Sequence, residues 1–185
     1  MSQFEYISVA VSLVLTFSVA RLLSGVPYLF FGERGYWVHT LWCTLATLNF
    51  ATFWWFFWNY HVLQTWTLGS FLMVLSYPAI CYVSTVILMP ADASSDTDWR
   101  AYFFKARRGI FLVFGISVVI LAAITILVLG APLLAPPLYL SALFASIYLV
   151  GFFSENPRVH GALVVINVLA VAGIYGPMIN HPILQ

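Results

Sequence analysis

Long uncharged stretches alternate with short polar ones along this chain, a pattern that predicts membrane-spanning helices. The clearest stretch, residues 36–61, reads YWVHTLWCTLATLNFATFWWFFWNYH; it holds five of the seven tryptophans and no Lys, Arg, Asp or Glu. About 20 apolar residues rising 1.5 Å each cover a hydrocarbon core of roughly 30 Å. Because no stretch shows the alternation of a barrel strand, we expect every span to be a helix.

Six spans result when each apolar run is closed at its charges, glycines or prolines. The predicted fold class is therefore all-α, a polytopic membrane helix bundle that forms a single transmembrane domain over residues 1–185. In the one long polar loop, apolar residues recur at helical spacing, which predicts a short interfacial helix at residues 98–108. The predicted spans are residues 6–29, 36–60, 66–89, 109–129, 133–153 and 159–179.

Composition supports a membrane protein and argues against several functions. Of the 185 residues, 63% are hydrophobic and 7% are charged, against about 25% charged residues in a soluble domain. A net charge of +1, with its basic residues clustered in one loop, predicts no nucleic-acid partner. The chain lacks a glycine-rich phosphate loop, an HExxH motif and a nucleophile with a plausible base, so we do not expect an enzyme.

The basic residues also predict the orientation in the membrane. Every Lys and Arg outside the spans follows an odd-numbered span, and the positive-inside rule places those loops in the cytoplasm. With an even number of spans, both termini then lie on the non-cytoplasmic side. The basic residues of the longest loop would either contact anionic lipid of the inner leaflet or serve only to orient the chain; they are Arg100, Lys105, Arg107 and Arg108.

Arg21 is the single charge well inside a predicted span. Ionisable residues within a membrane are functional candidates by default. Arg21 also lies about one turn from the Gly25 to Pro27 segment, where its long side chain could reach the cytoplasmic interface. The sequence leaves both roles open, an interfacial anchor and a functional site.

Several uncharged polar residues lie near mid-membrane when depth is counted at 1.5 Å per residue. If they face one another, they predict passive permeation or small-molecule binding; if not, interhelical hydrogen bonds explain them. Pro78 lies beside two of them, and a proline kink at this depth is typical of many transporters. No acidic residue lies mid-span, which argues against ion-coupled pumping. The candidates are Thr16, Asn49, Ser76, Tyr77 and Asn167.

No cofactor is predicted outright, although the aromatic second span would suit a flat lipophilic one such as a quinone, a carotenoid or haem. Histidines flank the second and sixth spans as two potential haem-ligating pairs, His39 with His160 and His61 with His181. His61 lies 22 residues after His39, and His181 lies 21 residues after His160. These spacings correspond to about 32 Å along a helix, which places the pairs at the membrane surfaces. They are therefore weak haem candidates, and no other metal site is expected.

The opening FEYISVAVSLVLTFSVARLLSG, followed by YWVHTLW and FWWFFW, resembles a group of small polytopic bacterial membrane proteins without an assigned activity. The resemblance covers the first two spans, implies the bacterial inner membrane, and assigns no functional residue. The alternative to permeation or binding is a non-catalytic accessory subunit of a larger membrane complex. Because six short helices enclose little volume, we expect a homo-oligomer or partner membrane subunits, with membrane lipid around them.

Overall fold

The computed structural model describes residues 2–63 and 65–176, and within them it contains six α-helices and no strand. Five of the helices, all except the second, are long and apolar enough to cross a membrane. These findings confirm the all-α class and agree with a multi-pass membrane protein. The helices are α1 (Gln3–Phe31), α2 (Trp37–Phe57), α3 (Leu68–Leu88), α4 (Trp99–Leu127), α5 (Pro136–Phe153) and α6 (Pro157–Tyr175), with a 3₁₀ helix at Trp58–Val62 after α2.

Polar caps explain where most helices begin. Ser2 and Thr67 form capping boxes at the starts of α1 and α3, which satisfy backbone N–H groups that have no partner within the helix. Asp98 accepts a hydrogen bond from the Ala101 N–H at 2.9 Å, and Asn156 caps α6 in the same way. Prolines occupy the first turn of α5 and α6, where no backbone hydrogen bond is lost. The helix starts are thus encoded locally.

Residues 98–108 do not form a separate interfacial helix, contrary to the prediction. They are the N-cap and the first turns of α4, which continues without a break to Leu127 and so covers the predicted span 109–129 except for its last two residues. No proline interrupts this stretch, so the helix has no reason to end at the basic residues. Trp99 and Phe103 are fully buried. The apolar face of this segment therefore packs into the bundle and does not lie on lipid.

The second helix occupies the middle of the bundle and contacts α1, α3, α4 and α6. The remaining packing is α1 against α3, α3 against α4, α4 against α5 and α5 against α6. One face of α1 supplies a buried stripe at heptad-like spacing that faces its neighbours. The polar residues Glu5, Ser8, Ser12 and Thr16 of the same helix are not buried. The buried residues of α1 are Ile7, Val11, Leu15, Ser18, Leu22, Gly25 and Leu29.

The loops after α1, α3 and α5 lie at one end of the bundle, which we call the basic end because Arg34 and the basic residues in the first turns of α4 and α6 are there. It comprises residues 32–36, 89–98 and 154–156 and the helix turns next to them. The Glu33 N–H donates to the Ser95 carbonyl at 3.1 Å, which joins two of these loops. Arg107 forms an ion pair with Glu155, which joins α4 to the third. Hydrogen bonds therefore connect the basic end across helices that are distant in sequence.

Candidate functional site

Two of the predicted mid-depth residues meet in the structure. The Asn49 amide of α2 donates a hydrogen bond to the Tyr77 hydroxyl of α3 at 2.8 Å. Tyr77 is fully buried and its ring lies 4.3 Å from that of Phe53, centroid to centroid. This contact ties α2 to α3 and places a phenol inside the bundle.

Asn167 of α6 is also buried, with 2% of its surface exposed. Its amide interacts with the Tyr148 phenol of α5, yet the amide nitrogen makes no hydrogen bond of normal geometry. The phenols of Tyr148 and Tyr175 are both close enough to Tyr77 to interact with it electrostatically. Polar groups from α2, α3, α5 and α6 therefore gather in one region of the bundle.

Trp42 adds a second buried donor without an acceptor. Its indole is almost fully buried, its N–H has no hydrogen-bond partner in the described part of the chain, and its ring centroid lies 6.0 Å from that of Tyr148. A buried donor that lacks an acceptor costs about 1–3 kcal/mol. We call this group the Tyr148 cluster; its members are Trp42, Asn49, Tyr77, Tyr148, Asn167 and Tyr175.

The other two mid-depth candidates do not join the cluster through any hydrogen bond. The Thr16 hydroxyl donates to the Ser12 carbonyl of its own helix at 2.8 Å, and Thr16 is exposed. The Ser76 hydroxyl donates to the Met73 carbonyl at 2.6 Å. Hydroxyls that bond a carbonyl of the preceding turn are satisfied without a neighbouring helix.

Pro78 is buried within α3, and the helix continues through it as one element from Leu68 to Leu88. Proline removes one backbone hydrogen bond but need not end a membrane helix, because neighbouring groups can satisfy the freed carbonyl. The structure therefore shows no discontinuous helix at this position. The mid-depth chemistry lies in side chains, not in an unwound backbone.

Arg21 caps the end of α3. Its Nε and Nη2 donate to the Met89 carbonyl at 3.1 and 2.9 Å. The last carbonyls of a helix lack partners within the helix and carry partial negative charge, so a cation is favourable there. Arg21, the single charge well inside a predicted span, thus has a structural partner at the basic end.

Two further side chains complete this cap. His39 of α2 donates from Nε2 to the Leu88 carbonyl at 3.0 Å, and the Tyr102 hydroxyl of α4 donates to the Ile87 carbonyl at 2.6 Å. The carbonyl can only accept, which assigns the proton to Nε2 of His39. Three helices therefore each donate to one of three consecutive carbonyls of α3. We call Arg21, His39 and Tyr102 the α3 cap.

The histidines considered as haem ligands have other neighbours. His39 stacks on Trp99 with ring centroids 4.9 Å apart, and both His39 and His160 contact the ring of Phe103. His160 Nε2 bonds the Ser154 carbonyl at 3.0 Å, so each ring already uses one nitrogen on a backbone carbonyl.

His61 bonds the Trp58 carbonyl through Nδ1, whereas His181 lies outside the described residues. Over residues 2–63 and 65–176, no three His, Cys, Asp or Glu side chains are grouped so that they could hold a metal ion.

The four basic residues of the first turns of α4 have different environments. Arg107 is largely buried, pairs with Glu155 and donates to the Phe104 carbonyl at 2.9 Å. Arg100, Lys105 and Arg108 are exposed. Arg100 also lies near Tyr36, where its positive charge opposes the rise in the Tyr36 pKa that burial causes. Lipid contact is thus open to three of the four.

No protein family, curated protein or solved structure matches this chain. Any function must therefore be argued from the geometry of its own residues. The cluster and the cap include residues that the sequence did not single out, namely Trp42, Tyr102, Tyr148 and Tyr175. A tyrosine at position 148, well inside a span and away from the headgroups, was the one available signal.

Proposed function

We propose that this chain is a non-catalytic membrane protein that binds a small lipophilic molecule at the Tyr148 cluster. The observation that carries the proposal is a pair of buried donors beside Tyr148. The Trp42 indole N–H has no acceptor in the described structure, and the Asn167 amide nitrogen makes no hydrogen bond of normal geometry although it interacts with the Tyr148 phenol. In a bilayer core no water is at hand to satisfy them. A bound acceptor oxygen would remove both costs.

The chemistry of the cluster favours a neutral ligand. All its polar groups are amides, phenols and an indole, and none of its members is charged. Aromatic rings that offer flat apolar contact surround them, among them Phe53 beside Tyr77 and Phe56 beside Tyr175. A quinone fits this description, since it combines a flat ring with two carbonyl acceptors.

Packing argues against passive permeation. Phe50, Phe53 and Val74 are buried at the same depth, and interiors of this kind are close-packed. A polar path would need Thr16 to face the interior of the bundle. Thr16 is instead exposed, and its hydroxyl forms a hydrogen bond within its own helix. A site between helices requires less open space than a path across all of them.

The test is a titration of the purified protein with decylubiquinone, in which quenching of tryptophan fluorescence measures binding. We expect Asn167→Leu to weaken the apparent affinity about tenfold, the equivalent of one lost hydrogen bond near 1.4 kcal/mol. Thr16→Val, which alters an equally small polar side chain outside the cluster, should leave the affinity unchanged. Equal binding by the wild type and both Asn167→Leu and Tyr148→Phe would overturn the proposal.

A second candidate is an accessory subunit, or a homo-oligomer, that uses α5 as its contact surface. Only Ile147 and Gly151 of this helix are buried, whereas Ala142 and Ser146 lie exposed one turn apart. Small residues at this spacing let membrane helices approach closely. The purification used for the quinone assay separates the two candidates, because an accessory subunit brings other polypeptides with it in fixed ratio.

A further inference from the structure

An open groove lies at the basic end, between the first turns of α2, α4 and α6. Its volume is about 730 Å³. Trp37 forms one wall and packs against α6, where a Cβ on Gly161 would lie 3.3 Å from the indole ring. The groove is lined by Tyr36, Trp37, Val38, Arg100, Pro157, Arg158, Gly161, Ala162, Val165 and Ile166.

Two arginines, Arg100 and Arg158, line the groove, and no acidic residue does. Arg100 and Arg158 are exposed and, within the described residues, neither forms an ion pair. Arg107, about two turns further along α4 than Arg100, differs because Glu155 neutralises it. The positive charge at the groove is therefore available to an anion.

Tyr36 adds a neutral donor to this anion site. Its hydroxyl is buried and has no hydrogen-bond partner among the described residues. Burial raises the pKa of Tyr36, with Arg100 opposing the rise, so the phenol keeps its proton at neutral pH. It can thus donate to an anionic oxygen between the two arginines.

Away from the arginines, the groove becomes apolar along α6. Ala162, Val165 and Ile166 follow Arg158 along the helix, and all three are exposed. The eight residues from Arg158 to Ile166 correspond to about 12 Å along the helix axis. The groove therefore continues from two cations into apolar surface, as a lipid does from headgroup to acyl chain.

We propose that this groove binds one anionic phospholipid. Arg100 and Arg158 hold the phosphate, Tyr36 donates to one of its oxygens, and an acyl chain lies against Trp37 and the exposed face of α6. Charge complementarity selects the occupant, because guanidinium groups bind phosphate in a forked geometry. The site is separate from the Tyr148 cluster, so its test does not depend on quinone binding.

The experiment is native mass spectrometry of delipidated protein titrated with phosphatidylglycerol or with phosphatidylcholine. The wild type should retain one phosphatidylglycerol in preference to phosphatidylcholine. Arg100→Gln with Arg158→Gln should lower that affinity about tenfold, while Lys105→Gln with Arg108→Gln, an equal loss of charge outside the groove, should not. An equal loss in both double variants, or no preference between the lipids, would contradict a built site.

A second arm tests the apolar part and separates a lipid from free phosphate. Ala162→Phe fills the groove without a change of charge and should weaken phosphatidylglycerol binding severalfold. Millimolar inorganic phosphate should compete poorly, because it gains no acyl contact. Unchanged lipid binding by Ala162→Phe, or full displacement by inorganic phosphate, would show that the arginines bind phosphate alone. Size-exclusion profiles and helical circular dichroism report whether each variant is folded.

Discussion

At the scale of single residues, polar side chains inside this bundle mainly satisfy backbone or side-chain partners on other helices. Arg21, His39 and Tyr102 each donate to a carbonyl at the end of α3. Such groups are expensive in a low-dielectric interior unless paired. The Trp42 and Asn167 donors are among the exceptions, as are the Tyr36 hydroxyl and the Trp66 indole N–H. Because Trp42 and Asn167 both lie beside Tyr148, they suggest a ligand there.

Removal of the Arg21 guanidinium should destabilise the bundle at the basic end. Arg21→Met loses both hydrogen bonds to Met89 and leaves a helix-terminal carbonyl without its cation, at a cost of about 1.5–3 kcal/mol. Thermal unfolding in detergent, followed by circular dichroism, measures the effect. Arg21→Lys should lie between the wild type and Arg21→Met.

Arg108→Met is the matched control, because Arg108 is exposed. A similar midpoint for Arg21→Met and Arg108→Met would show that the cap contributes nothing to stability.

The candidate site was predictable in part from depth alone. Counting residues from the helix ends placed Asn49 and Tyr77 at one level, and they do form a hydrogen bond. Depth says nothing about rotation around the helix axis, so the same count included Thr16, which faces away. Trp42 and Tyr148 were missed because aromatic residues in a span are so often packing or interface residues that their polar atoms attract no notice.

At the scale of elements, charged residues indicated the helix boundaries less reliably than N-cap residues and helix-breaking prolines did. Because of the basic residues of α4, the predicted fourth span began at Gly109, yet the helix begins ten residues earlier, directly after the Asp98 cap. Basic residues mark the point where a helix passes from lipid into water, but they do not interrupt the hydrogen bonds of its backbone. Hydropathy therefore predicted the apolar part of α4 but not where the helix starts.

The close approach of α4 and α5 depends on Gly151. A Cβ at this position would lie 2.6 Å from the ring of Phe111, which is buried. Gly151→Ala should therefore force the two helices apart and cost about 1–3 kcal/mol. The unfolding midpoint of the variant in detergent measures this effect.

Gly173→Ala is the control for this substitution. No atom lies within 4 Å of a Cβ at Gly173, and alanine is a better helix former than glycine. Its midpoint should stay the same or rise slightly. A Gly151→Ala protein as stable as the Gly173→Ala protein would mean that α4 and α5 can separate at no cost.

At the scale of the whole molecule, the packing bears on α2, the helix whose hydropathy is too low to qualify as a span. The start of α3 lies near the start of α1, since the Trp66 N–H donates to the Gln3 side chain. The end of α3 also lies beside α1, since Arg21, 18 residues after Gln3, donates to the Met89 carbonyl. Because α1 and α3 run in the same direction, the chain between them must return across the bundle. The 21 residues of α2 cover about 31 Å, which is long enough for that return. We propose that α2 crosses the membrane as well.

This topology, with the basic end in the cytoplasm of a bacterial cell, can be tested with single cysteines at the two ends of α2. Glu33→Cys lies at the basic end and Asn59→Cys at the other; both positions are exposed, and the native Cys43 and Cys81 are buried. Neither substitution removes a Lys or Arg, the residues that determine orientation, so both variants should keep the native topology. In intact bacterial cells a membrane-impermeant maleimide should label Asn59→Cys, and it should label Glu33→Cys only after permeabilisation. The reverse pattern would invert the orientation, whereas labelling of both positions from the same side would mean that α2 does not cross.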